Sequence, residues 1–371
     1  MLTSKVLREK YVDDMIIKSL FRVDKLPEKE IPLNVEAADI GYGYVKVTQG
    51  VDEDGNIRFK SFPSIVPRAP MSDMSGSFFV ERDTIKINSA GTEYEVGPDC
   101  ADIASKKDVR ALHGNFINTE QYKVLFLAAL HYIGKEEIDC LVLGLPVSNM
   151  SMEQDAIKFA KGKHTVGGKD ILVKDVLVVP QPLGLLYNHA LSSGEFERYM
   201  NTNTVVIDPG FHTFDFLTTN GLRINANRSG AREGGMHSVL KEIADSLRRA
   251  NIDFDDLNAI DKHLDLASYG PKNSQRSLLV YGEEIELVEH IKNTAPVISE
   301  NINHLINVVQ DTKDISQILL GGGPSPVFQK GIKKGFPNNK IIVSNDGIFA
   351  NAKGFLLWGM LKMYASAIKG L

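Results

Sequence analysis

Val35-Glu-Ala-Ala-Asp-Ile-Gly-Tyr-Gly-Tyr-Val-Lys-Val-Thr48 is the stretch whose reading decides the fold. Its apolar residues predict a short strand, a turn carrying Asp39, Gly41 and Gly43, and a second strand returning through Val45 and Val47. Glycines in such a turn let backbone N–H groups approach an anion without a Cβ in the way. Lys46 adds a positive charge on the returning strand and Asp39 a carboxylate at the strand end, which suits a polyphosphate with its metal ion. Many tight hairpins hold Gly-x-Gly without binding anything, so the stretch alone is a weak signal.

A second copy strengthens it. Thr204-Val-Val-Ile-Asp-Pro-Gly-Phe-His-Thr-Phe-Asp-Phe-Leu-Thr218 repeats the apolar strand, Asp208 at its end, Gly210 in the turn and a returning strand. Around each hairpin the same order follows: three hairpin-linked strands, then helix, strand, helix, strand, helix, with an insertion. Such internal duplication predicts an α/β protein of two like lobes with mixed sheets, the ligand at the strand ends between them.

The remaining segments fill this plan. Leu7, Val12, Tyr11, Met15, Ile16 and Leu20 recur at helical spacing and predict an amphipathic helix to about Phe21, followed by a linker at 26–32. Residues 1–34 therefore form a helical extension, packed on its own domain or reaching to a neighbouring subunit or partner. The first domain covers 35–200, with an insertion at about 68–115 that includes short segments at 78–80, 85–87 and 93–96; the final helix, 347–371, packs back on it. The second covers 201–346, with an insertion at about 251–283. Asn118 is expected to cap one helix and Ser151 to open another through a capping box with Gln154. A strand is expected at 222–226, and a long helix from Ile285 to Val309 with a kink at Pro296.

Composition narrows the function. The 371 residues are 43% hydrophobic and 24% charged with net charge −5, which argues against direct nucleic-acid binding through a basic face. Cys100 and Cys140 stand far apart, so neither a zinc site nor a disulfide framework is expected, and a cytoplasmic location fits. No apolar run approaches the roughly 18 residues of a membrane span. Lys5, Arg8, Glu9, Lys10, Asp13 and Asp14 make the N-terminus too charged for a secretory signal. Lys106-Lys107 and Lys333-Lys334 are expected as solvated faces.

Five motifs, in order over residues 35–360, resemble those of the actin, sugar-kinase and heat-shock-chaperone superfamily, with its duplicated ribonuclease H-like fold of two five-stranded sheets. Asp39-Ile-Gly-Tyr-Gly-Tyr-Val-Lys46 resembles its first phosphate motif and Asp208-Pro-Gly-Phe-His-Thr-Phe-Asp215 its second. Leu319-Leu-Gly-Gly-Gly-Pro-Ser325 resembles the adenosine motif, while Pro180-Gln-Pro-Leu-Gly184 and Ala350-Asn-Ala-Lys-Gly354 resemble the two connecting segments. Phe62-Pro-Ser64 and Gly144-Leu-Pro146 look most like bacterial plasmid-segregation actins of the ParM and StbA type and their archaeal relatives.

The resemblance implies an actin-like nucleoside triphosphatase taking ATP or GTP with Mg²⁺ between its lobes. It also implies polymerisation into filaments, and an adaptor protein linking them to a plasmid centromere. Asp39 and Asp208 would hold Mg²⁺ through water, and Gln181 would orient the attacking water beside them. Gly41, Tyr42, Gly43, Tyr44 and Lys46 would line the phosphates from one lobe. Gly210, Phe211, His212 and Thr213 would do so from the other. Gly234 and Gly235 at a helix start, with Gly321, Gly322, Gly323 and Pro324, would receive the nucleoside. His212 reads either as a phosphate donor or as a packed hairpin residue. Two other readings stay open: a small-molecule kinase of the same fold, and a nucleotide-binding scaffold that neither polymerises nor hydrolyses. A chaperone would need a peptide-binding domain after residue 371.

Overall fold

The computed structural model describes residues 2–70, 82–104, 115–268 and 277–369. The predicted segment at 78–80 and the Lys106-Lys107 pair lie outside the described residues. Two compact units divide the chain: unit 1 is Met1–Asn201 with Asp346–Leu371, and unit 2 is Thr202–Asn345.

Unit 1 is built on a five-stranded mixed sheet in the spatial order Val176–Pro180, Cys140–Leu145, Val35–Ile40, Tyr44–Val51, Ile57–Pro63. The last three pair antiparallel through hairpins, while Cys140–Leu145 runs parallel to the strands on both its sides. Val35–Ile40 and Cys140–Leu145 are buried at every residue, as strands covered on both faces must be. The helix Ala350–Lys369 lies on these two strands and on the helix Gln181–Ser192. A Cβ on Gly354 would stand 1.7 Å from the Gly184 carbonyl oxygen, so those two helices touch backbone to backbone. That contact is the physical content of the small residues in Ala350-Asn-Ala-Lys-Gly354.

Unit 2 repeats the order with Ile341–Val343, Ile315–Leu320, Asn203–Pro209, Thr213–Asn220 and Arg223–Ile224. The pairing senses are the same: hairpins on one side, parallel strands on the other. Phe214, Phe216, Leu240, Ile243, Leu305, Ile318 and Phe328 pack in its core. A sixth strand, Gly230–Glu233, pairs with the beginning of Thr213–Asn220. The strand expected at 222–226 shrinks to two residues because the chain turns away in the short 3₁₀ segment Ala226–Arg228, which Arg228 anchors by donating to Asp314 and to the Val309 carbonyl.

Local corrections share one cause: competing short-range bonds. The N-terminal helix is two pieces, ending at Tyr11 and restarting at Asp14, because the Asp13 side chain accepts from the Met15 N–H and caps a new helix. Both pieces pack on unit 1: Leu2, Leu7 and Ile17 are buried, and the Tyr11 hydroxyl donates to the Gly55 carbonyl. The segment expected as a linker is bonded back, with Ser4 N–H on the Ile31 carbonyl. Thr119, not Asn118, caps the helix Glu120–Ile133, since Asn118 closes a 3₁₀ turn. Ser151 also lies inside a 3₁₀ turn, so its capping box does not form and the α-helix starts at Glu153 without a side-chain cap. The helix expected over Ile285–Val309 is a hairpin strand Glu283–Glu286 and two helices, Val288–Lys292 and Ala295–Val309. Pro296 sits in the first turn of the latter, where its missing N–H costs nothing.

Candidate nucleotide site

The two hairpins place their carboxylates identically. Asp39 pairs with Lys46 across the first, and Asp208 pairs with Asp215 across the second, each seven residues apart. In each turn the glycine two residues after the aspartate donates its N–H to the carbonyl five residues after it: Gly41 to Tyr44 at 3.2 Å, Gly210 to Thr213 at 2.8 Å. A Cβ on either glycine would press on that same carbonyl at 3.2 Å. The turn is therefore tight for a reason intrinsic to its bonding.

In unit 1, Asp39 is buried and both its carboxylate oxygens are engaged. Lys46 Nζ lies 2.9 Å from Oδ2, and Gln181 Nε2 donates to Oδ1 at 2.8 Å. Gln181 is the first residue of its helix, delivered by the strand Val176–Pro180, so its side chain projects from a fixed backbone. Gly144 on the neighbouring strand leaves it room: a Cβ there would be 3.1 Å from Gln181 Cγ. Ser64, which the sequence reading did not assign, holds the turn by donating from its hydroxyl to the Gly41 carbonyl at 2.6 Å and from its N–H to the Gly43 carbonyl. Tyr42 stacks on Phe116 at 4.7 Å, and Tyr44 is exposed. Tyr122 is buried with no hydrogen-bond partner for its hydroxyl; burial, and secondarily the charge of Asp39, push its pKa well above the usual phenol range.

In unit 2, Asp208 and Asp215 are both buried. Gly322, with φ +81°, abuts the first of them: a Cβ would sit 2.3 Å from Asp208 Oδ1, so no side chain fits between the Gly321–Pro324 turn and this carboxylate. The turn is held by Gly321 N–H on the Ile207 carbonyl. Pro324 is the cap of the helix Ser325–Gly335, and no side-chain bond caps it. Gly234 and Gly235 precede the helix Met236–Arg249, whose first N–H groups bond to the hairpin: Met236 to the Gly210 carbonyl at 3.0 Å, His237 to Phe211 at 2.7 Å. A Cβ on Gly235 would stand 2.5 Å from the Gly210 oxygen, and one on Gly234 would stand 2.0 Å from Asn301 Oδ1. Asn301, also missed from sequence, is buried and donates to the Gly234 carbonyl at 2.8 Å. His212 is buried, 3.6 Å from Glu233, and its carbonyl receives Gly234 and Gly235 N–H. Thr213 begins the returning strand.

Unit 1 thus brings Asp39, Gly41, Lys46 and Gln181 together. Unit 2 brings Asp208, Gly210 and Gly322 together, with Phe211 and His212 locked to Gly234 and Gly235. Among the described residues no group of three or more His, Cys, Asp or Glu side chains forms a ready metal cage. Facing carboxylates at Asp208 and Asp215 are nevertheless a hard-oxygen pair of the kind Mg²⁺ takes when phosphates and water complete its shell. No helix among the described residues is long and apolar enough to cross a membrane.

Residues 37–184 match the family model for the N-terminal domain of actin like proteins. No curated protein is similar in sequence at a significant level. Among solved structures, the archaeal actin homologue Ta0583 has 19% identity and a TM-score of 0.68, over 91% of this chain and 99% of its own. That protein has also been solved in complex with ADP. A ParM from Clostridium botulinum, solved as a 15-stranded filament, has 21% identity and a TM-score of 0.67, over 88% of this chain and 98% of its own. Alp7A, an actin-like protein, has 18% identity and a TM-score of 0.67, over 91% and 98%. The matched domain over 37–184, and a fold shared across nearly the whole length of these structures, show that the chain has an actin-like fold.

Proposed function

We propose that the chain is a nucleoside triphosphatase of the plasmid-segregation kind: it binds one Mg²⁺-ATP or Mg²⁺-GTP with a corner from each unit, polymerises, and hydrolyses the nucleotide. The observation that carries this reading is the duplicated corner, with Asp39 and Asp208 at one strand position and Gly41 and Gly210 in one turn geometry. Two such corners are redundant for folding but suit one polyphosphate and its cation.

The residues fit the cation by charge and hardness. Asp39 and Asp208 would hold Mg²⁺ through water, and the ion when bound supplies neutralisation of phosphate charge. Lys46 offers the same phosphates a cation already held by Asp39. The Gly322 turn, bare against Asp208, admits a ligand close to backbone. Gln181 spends one N–H on Asp39, which fixes its amide and leaves its carbonyl oxygen to accept from a water. An amide is too weak a base to take a proton, so its part is orientation and turnover is slow. An adaptor carrying the DNA contact belongs to the plasmid-segregation reading, and the net charge of −5, ill suited to binding DNA directly, is consistent with it.

Phosphate release and sedimentation, each with Mg²⁺-ATP and Mg²⁺-GTP, test the proposal. A chain that pellets and releases phosphate supports it. A chain that stays in the supernatant with both nucleotides contradicts the filament, and one that binds without releasing phosphate contradicts the hydrolase.

A further inference from the structure

Among the described residues, the most exposed large apolar side chains lie outside the duplicated plan. In unit 2, the hairpin Ser277–Val280 and Glu283–Glu286 buries Leu278 and Val280 and turns its other face outward. On that face Leu279 is 70% exposed, and Tyr281 at the tip is 91% exposed. Glu283, Glu284 and Glu286 are exposed on the returning strand, with Glu284 paired to Leu279 across it. Tyr281 and Gly282 form a two-residue turn, at φ +50° and +86°. The first of those positions favours Asn, Asp or Gly; a bulky aromatic there is strained. A solvent-facing tyrosine held in that backbone serves neither the core nor the turn, and strain retained without a folding benefit marks a surface with another use.

In unit 1, Met15 on the helix Asp14–Phe21 is 73% exposed. Lys18 and the exposed Arg22 follow it at helical spacing of three and four, and Lys25 is exposed just beyond the helix end. One surface is acidic with two apolar knobs. The other has a single apolar knob flanked by Lys18, Arg22 and Lys25, with the exposed Asp13 and Asp24 at its edges.

We propose that the tip of the 277–286 hairpin docks on the Met15–Lys25 surface of a second copy of this chain. Leu279 and Tyr281 cover Met15, and Glu283 and Glu284 face Lys18 and Arg22. The pairing is heterologous, so each copy keeps one unused hairpin and one unused helix, and such a contact propagates as a filament wherever its rotation does not close a ring. The inference rests on the reading of the chain as self-assembling and names the surfaces that do it. It also gives residues 1–34 a role at a neighbouring subunit besides packing on unit 1.

The test is a Met15→Cys, Tyr281→Cys double variant, oxidised after addition of Mg²⁺-nucleotide, beside each single variant and the wild-type chain. Both native cysteines are buried and serve as internal controls. A covalent ladder of dimers, trimers and longer species from the double variant alone is expected. In sedimentation, Leu279→Ser with Tyr281→Ser raises the critical concentration at least tenfold. Glu283→Lys with Glu284→Lys does the same, and adding Lys18→Glu and Arg22→Glu restores assembly. A wild-type chain that pellets while the double variant gives no ladder overturns this contact and leaves self-assembly standing. A wild-type chain that never pellets, with no ladder, overturns both.

Discussion

The Gln181 side-chain amide donates to Asp39 Oδ1 at 2.8 Å, joining the first residue of a helix to the end of a strand 142 positions earlier in the chain. The bond holds the amide in one orientation. Gln181→Ala removes the orientation without touching a phosphate contact. Phosphate release is expected to fall by about 10²-fold, the size a positioned proton-transfer or water-orienting group contributes, with nucleotide affinity nearly unchanged. Single-turnover kinetics beside a binding titration measure both; an equal loss in the two would mean that Gln181 binds rather than orients.

Gly322 and Asp208 leave no space for a methyl group. Gly322→Ala adds a left-handed backbone penalty of roughly 1–2 kcal/mol and pushes a Cβ onto the carboxylate. The denaturation midpoint of the variant is expected to fall, with phosphate release lost as Asp208 shifts. Urea unfolding and a phosphate assay check this, and a variant with wild-type behaviour in both would place the turn away from the chemistry.

Gly354 is a packing residue, not a ligand. Its Cβ would stand 1.7 Å from the Gly184 carbonyl oxygen, so Gly354→Ala forces the two helices apart. The expected cost is about 3 kcal/mol, at the upper end of overpacking penalties. Because Gln181 heads the displaced helix, activity falls with stability. Thermal unfolding followed by circular dichroism reads the effect.

Asp314 takes two bonds from the Arg228 guanidinium, and that pairing holds its carboxyl below the usual carboxylate range. A depressed folded pKa gives stability that is present above the unfolded value, about pH 4, and is lost as pH falls through the folded value. Asp314 is half-exposed, so the pair contributes no more than about 1 kcal/mol. Asp314→Asn is expected to be destabilised by that amount at neutral pH, with the difference shrinking at acid pH. A gap that stays constant from pH 7 to pH 2 would remove the ion pair as its cause.

The features legible in the sequence are those set by residues a few positions apart. The two hairpins and their aspartates were legible as apolar runs ending in an Asp-x-Gly turn, and the structure has both hairpins there, at like places in two sheets of the same strand order. Gly234 and Gly235 were visible as a helix start, but that Gly234 fits against Asn301 and Gly235 under the carbonyls of Gly210 and Phe211 depends on a tertiary approach. The corrections lie where two local signals compete. Asn118 and Thr119 are both good caps, and the preceding 3₁₀ turn claims Asn118. Pro296 marks a break in either reading, but only Thr294, whose hydroxyl donates to the Ile291 carbonyl, shows that one helix ends before the next begins. Ser64 and Asn301 bond to site residues 23 and 67 positions away, and Gly144 borders Gln181 from a strand earlier in the chain; no spacing rule spans such distances.

The central claim is that twin carboxylate corners serve a single nucleotide, and calorimetric titration of Mg²⁺-ATP or Mg²⁺-GTP into the wild-type chain, Asp39→Ala and Asp208→Ala tests it most directly. The account predicts one nucleotide per wild-type chain and a large loss of Mg²⁺-dependent affinity in each variant. Two independent sites per chain, or either variant binding as the wild type does, would contradict it.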